Sequence, residues 1–305
     1  MSRPRLETCV GAIRMKNPVM VASGTFGYGP EYDGVVDMGR LGAIVVKGIS
    51  LEPWEGNPPP RLVEVTGGLV NAIGLQNPGV DGFVREYMPF LRQKGVPVIV
   101  NIWGRSVEEY AEVAARFDGV AGVAGLELNI SCPNIKEGGI AFGTDPGAAA
   151  RVISAARKAT KLTLIPKLSP NVPDIALFAK IAEDAGADAV SLINSIPAMV
   201  IDIETRRPAL ANTTGGLTGP AVHPVAVRLV WQAAKAVKIP VIGMGGISGA
   251  REAIEFMLAG ASAVAVGTAN FTDPSVTAAV IDGIEEYLVR KGVGDVRDII
   301  GAVRA

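Results

Sequence analysis

Cysteine and histidine are scarce in this 305-residue chain, which carries Cys9, Cys132 and a single histidine, His223. Two thiols far apart in sequence make no disulfide framework, and a reducing compartment is the expectation. Nor can two thiols hold an iron–sulfur cluster that takes four. One histidine and two distant cysteines leave no metal-ligand spacing, so no metal is expected. A Ser-His-Asp triad would need His223, which precedes Pro224 at a helix start and reads as a capping or surface residue. Excess charge of one sign is also missing. The 29 basic and 30 acidic side chains give a net charge of −1, which is no electrostatic footprint for nucleic acid or an anionic membrane. Long hydrophobic runs are missing despite a mean hydropathy of +0.32. The longest, such as Gly42–Val46 and Val96–Val100, are of strand length, against the ~20 residues of a spanning helix. Met1–Ala12 lacks the apolar core of a signal peptide, so a cytoplasmic location is expected. Glycine and proline are scattered rather than gathered into a linker, and no repeat is visible. Residues 1–305 read as one domain.

What is present is a recurring unit, a short apolar run followed by polar or glycine residues and then an alanine-rich helical pattern. The runs are Pro18–Ala22, Ala43–Lys47, Pro97–Ile102, Gly125–Ile130, Thr163–Leu168, Ala189–Asn194, Pro240–Met244 and Ala263–Gly267. Continuous apolar strands of this kind belong to a parallel sheet covered on both faces. Between most of them lie amphipathic segments: Ser106–Phe117, Pro146–Thr160, Pro173–Ala185, Pro224–Val237 and Ala250–Ala259. The first opens with Ser106 and Glu109 at capping-box spacing, and three others open with proline near the first helical position. Eight strands alternating with helices predict an α/β fold, a closed (β/α)₈ TIM barrel. Residues Leu6–Lys16 predict a short N-terminal hairpin at the barrel's bottom. The stretches Gly48–Gly79, Ser131–Gly143 and Ser195–Val222 are long, and all leave C-terminal strand ends, where barrel enzymes build their sites.

Strand seven runs into Gly243-Met244-Gly245-Gly246-Ile247, and strand eight into Gly267-Thr268. Backbone N–H groups without intervening Cβ atoms can close on an anion there, and these two turns are where barrels bind phosphate. The phosphate could belong to a substrate or to flavin mononucleotide (FMN). Lys47 and Lys167 end otherwise apolar strands. Each is either a snorkelling side chain or a fixed positive charge beside a ligand that becomes anionic, as a flavin does at its N1–C2=O edge on accepting hydride. Asn101, Asn129 and Asn194 lie at strand ends, with Asn71, Asn77 and Asn134 in the long loops. Converging amides suit a heterocycle with alternating C=O and N–H groups. Cys132, next to Ser131 and Asn134 just after strand four, favours acid–base work over a buried packing role. Cys9 reads as structural.

Three stretches, Asn71–Gly79, Asn129–Asn134 and Gly243–Ile247, together resemble class 1 dihydroorotate dehydrogenase, a flavoenzyme of pyrimidine synthesis. The likeness runs in order along the whole chain, and the second motif looks like subtype 1B. The resemblance implies one FMN per chain, with Gly245, Gly246, Gly267 and Thr268 on its phosphate. Ser23, Lys47, Gly48, Ile193 and Gly219 would line the rest of it. Asn101 and Asn129 would bind the ring, and Lys167 its N1–O2 edge. Dihydroorotate would lie on Lys47, Asn71, Ala72, Ile73, Gly74, Leu75, Asn129, Asn134, Asn194 and Ser195, with Cys132 as the base at C5. The same resemblance implies a homodimer core and a partner subunit carrying FAD and a [2Fe-2S] cluster that passes electrons to NAD⁺, in a heterotetramer of two of each. The alternatives are a fumarate-using class 1A homodimer, another FMN-barrel dihydropyrimidine oxidoreductase, or a phosphosugar lyase, isomerase or binding protein. A tRNA-dihydrouridine reductase is opposed by the net charge, and a yellow colour separates the flavin readings from the rest.

Overall fold

A computed structural model describes residues 3–131 and 140–304. Eight parallel strands close into a barrel in sequence order. They are β1 (Val19–Val21), β2 (Ala43–Ile49), β3 (Val98–Ile102) and β4 (Val123–Asn129). They continue as β5 (Thr163–Lys167), β6 (Val190–Leu192), β7 (Val241–Met244) and β8 (Ala263–Val266). Each overlaps one expected run, with β2 continuing two residues past Lys47 and β4 starting two residues before Gly125. The barrel is formed by continuous hydrophobic strands because both faces are buried, and alternation then sorts side chains in or out. Ile44, Val46, Val98, Val100, Leu126, Leu128, Val264 and Val266 point outward, into the layer they share with the helices. Met20, Val45, Ile99, Ile165, Ile242 and several alanines point inward.

The helices begin where the capping residues stand. Ser106 Oγ accepts from the Glu109 N–H at 3.2 Å, starting Val107–Phe117. The reciprocal half of that box shifts by one residue, because the Glu109 carboxylate accepts from Arg105 N rather than from Ser106 N. Asp145 caps Pro146–Ala159. Asp174, not Pro173, caps the next helix, which therefore spans Ile175–Asp184, since an aspartate can satisfy two first-turn N–H groups. His223–Ala236 and Ala250–Leu258 complete the five expected helices. No helix among the described residues is long and apolar enough to cross a membrane.

The hairpin Thr8–Val10/Ile13–Met15 seals the barrel's lower end. Val10, Ile13 and Met15 join the inward core. Gly125 in β4 makes room for this plug, for a Cβ there would lie 2.8 Å from Ile13 Cδ1. The upper end carries a feature that is not apparent in the sequence. Parts of two long loops, Leu62–Val65, Gly68–Asn71, Ile196–Ala198 and Gly215–Thr218, form one antiparallel four-stranded sheet. Asn71 is the partner of Gly216 across it.

Candidate active site

The inward face of the barrel changes character along its axis. The lower layer is apolar. Two residues further up each strand the same parity places Lys47 (β2), Asn101 (β3), Glu127 and Asn129 (β4), Lys167 (β5) and Ser191 (β6). In-register pairing sets Asn101 beside Glu127, Asn129 beside Lys167, and Lys167 beside Ser191. All but Lys47 are buried. Above this polar layer opens a cavity of ≈ 310 Å³, within the roughly 300–1,000 Å³ range of small-molecule sites.

The cavity gathers most of the expected residues. Its lining includes Ser23, Lys47, Gly48, Asn101, Asn129, Lys167, Ile193 and Gly219, and both turns, Gly245-Gly246 and Gly267-Thr268. Asn71, Ile73, Gly74 and Leu75 reach it from the loop after β2, and Asn194 and Ser195 from the end of β6. Ala72 does not line it. Its side chain is turned behind the four-stranded sheet, against Val70 and Leu210. Asn77 is absent from the lining as well. Its Oδ1 accepts from the Ser50 and Gly79 N–H groups, and its Nδ2 donates to Leu75 O and Ser50 Oγ, which folds the loop. Cys132 and Asn134 lie outside the described residues. Cys9, expected as a small buried residue, is instead exposed on the hairpin, on the outward side of an alternating strand, and does not line the cavity.

The two glycine turns differ in what holds them. Gly246 has φ +73, and a Cβ there would lie 2.8 Å from both Gly219 O and His223 Cβ. Gly245 is also left-handed, at φ +129, and its carbonyl lies 3.2 Å from His223 Nδ1. The backbone of this turn is thus folded as only glycine allows and braced from behind by the histidine. A Cβ on Gly267 would meet only Ala22 and Thr25, at 3.6 and 4.0 Å, so its surface faces open cavity. Gly48 is needed for another reason: a Cβ there would lie 2.8 Å from Asn101 Oδ1.

The polar layer is bound together. Asn194 Nδ2 donates to Asn129 Oδ1 (3.3 Å) and to Ser131 Oγ (2.9 Å). Asn129 Nδ2 donates to Asn101 Oδ1 at 3.3 Å, and Asn101 Nδ2 to Glu127 Oε1 at 2.6 Å. Lys167 Nζ donates to Ser23 Oγ at 3.3 Å, and Ser23 donates to Glu127 Oε1 at 3.0 Å. Two residues were not singled out by the sequence. Glu127 shares a strand face with Asn129, two positions away, and that parity was the available signal. Arg61, at the start of the four-stranded sheet, lines the cavity mouth, and no motif marks it. Burial chiefly, and then the Arg61 guanidinium, hold the Lys47 ammonium below the ordinary lysine range. Two cations at one mouth suit an anionic ligand.

The donor set fits FMN. Glycine backbone stands where a phosphate would lie, and Ile193, Val222, Met244 and Ala265 supply apolar wall. Amides and an ammonium face the place of a ring with C=O and N–H edges. Among the described residues no three His, Cys, Asp or Glu side chains could hold a metal ion.

The family model described as dihydroorotate dehydrogenase matches residues 5–288. A dihydroorotate dehydrogenase B (NAD(+)) catalytic subunit from Citrifermentans bemidjiense is 57% identical over 303 residues, 99% of each chain. The protein of the same name from Geobacter metallireducens is 57% identical over 304 residues, 100% of each. That from Geotalea daltonii is 55% identical over 304 residues, again 100% of each.

Proposed function

This chain belongs to the dihydroorotate dehydrogenase family, an oxidoreductase family, and we propose that it oxidises dihydroorotate to orotate in pyrimidine biosynthesis as the FMN-binding catalytic subunit of a class 1B enzyme. The observation that carries the proposal is one cavity lined by two glycine turns, two lysines and three strand-end asparagines. When bound, FMN supplies a two-electron acceptor for hydride.

The chain's own residues do the rest. Gly245, Gly246, Gly267 and Thr268 hold the phosphate with backbone N–H groups. Gly48, Ile193 and Gly219 shape the walls, and Ser23, Asn101, Asn129 and Lys167 orient the ring. Lys167 puts positive charge where negative charge develops, the arrangement that lowers a barrier most when water is excluded. Lys47, with Arg61 behind it, takes the substrate carboxylate. Asn71 and Asn194 fix the pyrimidine amides from opposite sides of the mouth, with Ser195 alongside, and Asn134 joins them on the strength of the Asn129–Asn134 motif. Cys132, three residues past the end of β4, removes the C5 proton. Its role rests on the Asn129–Asn134 motif.

The electron acceptor is part of the same proposal. The relatives are named NAD(+) catalytic subunits, and no glycine turn of the dinucleotide kind follows a strand in this sequence. We assign a partner subunit with FAD and a [2Fe-2S] cluster to that task, in a heterotetramer built on a homodimer, in the cytoplasm. Anaerobic addition of dihydroorotate to the yellow purified protein tests the reaction: the flavin absorption should bleach. A protein that takes up FMN and keeps its colour under dihydroorotate would exclude it.

A further inference from the structure

Glu127 is a carboxylate with 2% of its side chain exposed, placed inside the barrel one layer below the cavity. A carboxylate there needs donors and a counter-charge. It has both. Oε1 accepts from Asn101 Nδ2 (2.6 Å) and Ser23 Oγ (3.0 Å), and Oε2 accepts from Ser191 Oγ (2.9 Å). Lys167 Nζ stands 3.8 Å from Oε1.

An ionised carboxylate only accepts, and that decides how its neighbours point. Asn101 must turn Nδ2 toward it, so Asn101 Oδ1 faces Asn129 Nδ2, and Asn129 Oδ1 faces Asn194 Nδ2. Three amides at the cavity floor and wall are thereby oriented from one anion. On its other side Ser23 must donate to Glu127, which leaves the Ser23 oxygen to receive Lys167. The ammonium is tethered at both the hydroxyl and the carboxylate.

We propose that Glu127 is the positioning residue of the flavin site, setting the amide orientation of Asn101, Asn129 and Asn194 and partly neutralising Lys167, so that it holds down the potential at which bound FMN is reduced. The proposal rests on the reading of the cavity as an FMN site. A bare ammonium beside the ring would favour the electron-rich form strongly. An ammonium paired with a carboxylate favours it less, and a flavin that must give electrons onward benefits from that restraint.

The test is the midpoint potential of bound FMN, equilibrated with a reference dye, in wild type, Glu127→Gln and Glu127→Asp, with FMN dissociation constants measured alongside. Glu127→Gln should raise the potential by the equivalent of at least a tenfold change in the two-electron constant, about 30 mV. Glu127→Asp, which keeps the charge, should fall back toward wild type. Weaker FMN binding with an unmoved potential would reduce Glu127 to a packing role and overturn the proposal. Glu127→Gln strands a buried ammonium and can fail to fold. Glu127→Gln/Lys167→Met strands neither partner. Its potential should stay within the same tenfold equivalent of wild type, because the two charges it removes offset each other at the ring, and a larger fall would show an unrestrained ammonium and overturn the proposal. Wild-type protein that takes up no FMN when supplied with it would instead refute the flavin reading.

Discussion

His223 Nε2 lies 2.9 Å from Glu255 Oε2, while the other ring nitrogen faces the carbonyl of Gly245. Both nitrogens thus meet oxygen atoms, one of a side chain and one of the backbone. The ring also stands edge-on against Phe256. Glu255 is held below the usual carboxylate range, first by the His223 hydrogen bond and then by that from Arg251. The lone histidine is therefore a brace for the Gly245-Gly246 turn, more than the helix-start residue its sequence position suggests.

His223→Phe keeps the ring contact and removes both polar contacts. It should weaken FMN retention about 3–10-fold, the weight of one hydrogen bond of about 1 kcal/mol, and leave the flavin potential unchanged. Because the Glu255 pKa is depressed in the folded state, its contribution to stability is present above the ordinary glutamate range. It is lost as the pH falls through the depressed value. Melting curves of wild type and Glu255→Gln should differ at neutral pH and converge in acid.

Lys47 gives a pH dependence of the opposite kind. Its depressed pKa means the ammonium is lost at lower pH than in an ordinary lysine. Orotate affinity should then fall on the alkaline side, beginning below the usual lysine range of about 10.4. Arg61→Gln removes one cause of the depression, so the alkaline limb should move up even as overall affinity drops. A limb that stays in place, followed by flavin perturbation on titration with orotate, would separate Arg61 from Lys47. Since the unfolded chain binds the proton more tightly, the stability contribution of Lys47 rises with pH through the same window.

Cys132→Ala should retain FMN and slow bleaching by dihydroorotate by about 10²–10⁴-fold, the usual weight of a general base. Cys132→Ser should also be slow, and should recover with rising pH because a hydroxyl is the weaker acid. Stopped-flow absorbance reads both, and wild-type speed in the alanine variant would remove Cys132 from the role.

Protein reduced with dihydroorotate should not be reoxidised by NAD⁺ in the absence of a second subunit. Rapid reoxidation by NAD⁺ alone would dispose of the partner, and rapid reoxidation by fumarate would move the chain to class 1A. Absorbance after each separate addition distinguishes the outcomes.

The barrel was legible because each strand is buried on both faces and reads as an unbroken apolar run, and because Ser106 and Pro146 announce their helices. The glycine turns and the lysines that line the cavity were legible for a related reason, since glycine pairs and cations stand out against apolar strands. Glu127 was not. It sits inside a run that reads as hydrophobic, and only the inward parity of Asn129 marks it. The sheet over the mouth was hidden because its strands are only three or four residues long. They also take partners from remote sequence, as when the Asn71 side chain reaches Gly216 O across 145 residues.

That separation has a consequence in time. At a synthesis rate of roughly 5–20 residues per second, the 145 residues between Asn71 and Gly216 take roughly 7–30 s to emerge from the ribosome. Throughout that interval Gly68–Asn71 lacks its neighbour Gly215–Thr218, and β1 lacks β8, its closing partner. A nascent chain halted before residue 215 therefore has neither the cavity wall nor the Gly245-Gly246 and Gly267-Thr268 turns. The cavity is therefore complete only once Gly267 and Thr268 have emerged, long after the hairpin that closes the barrel's lower end.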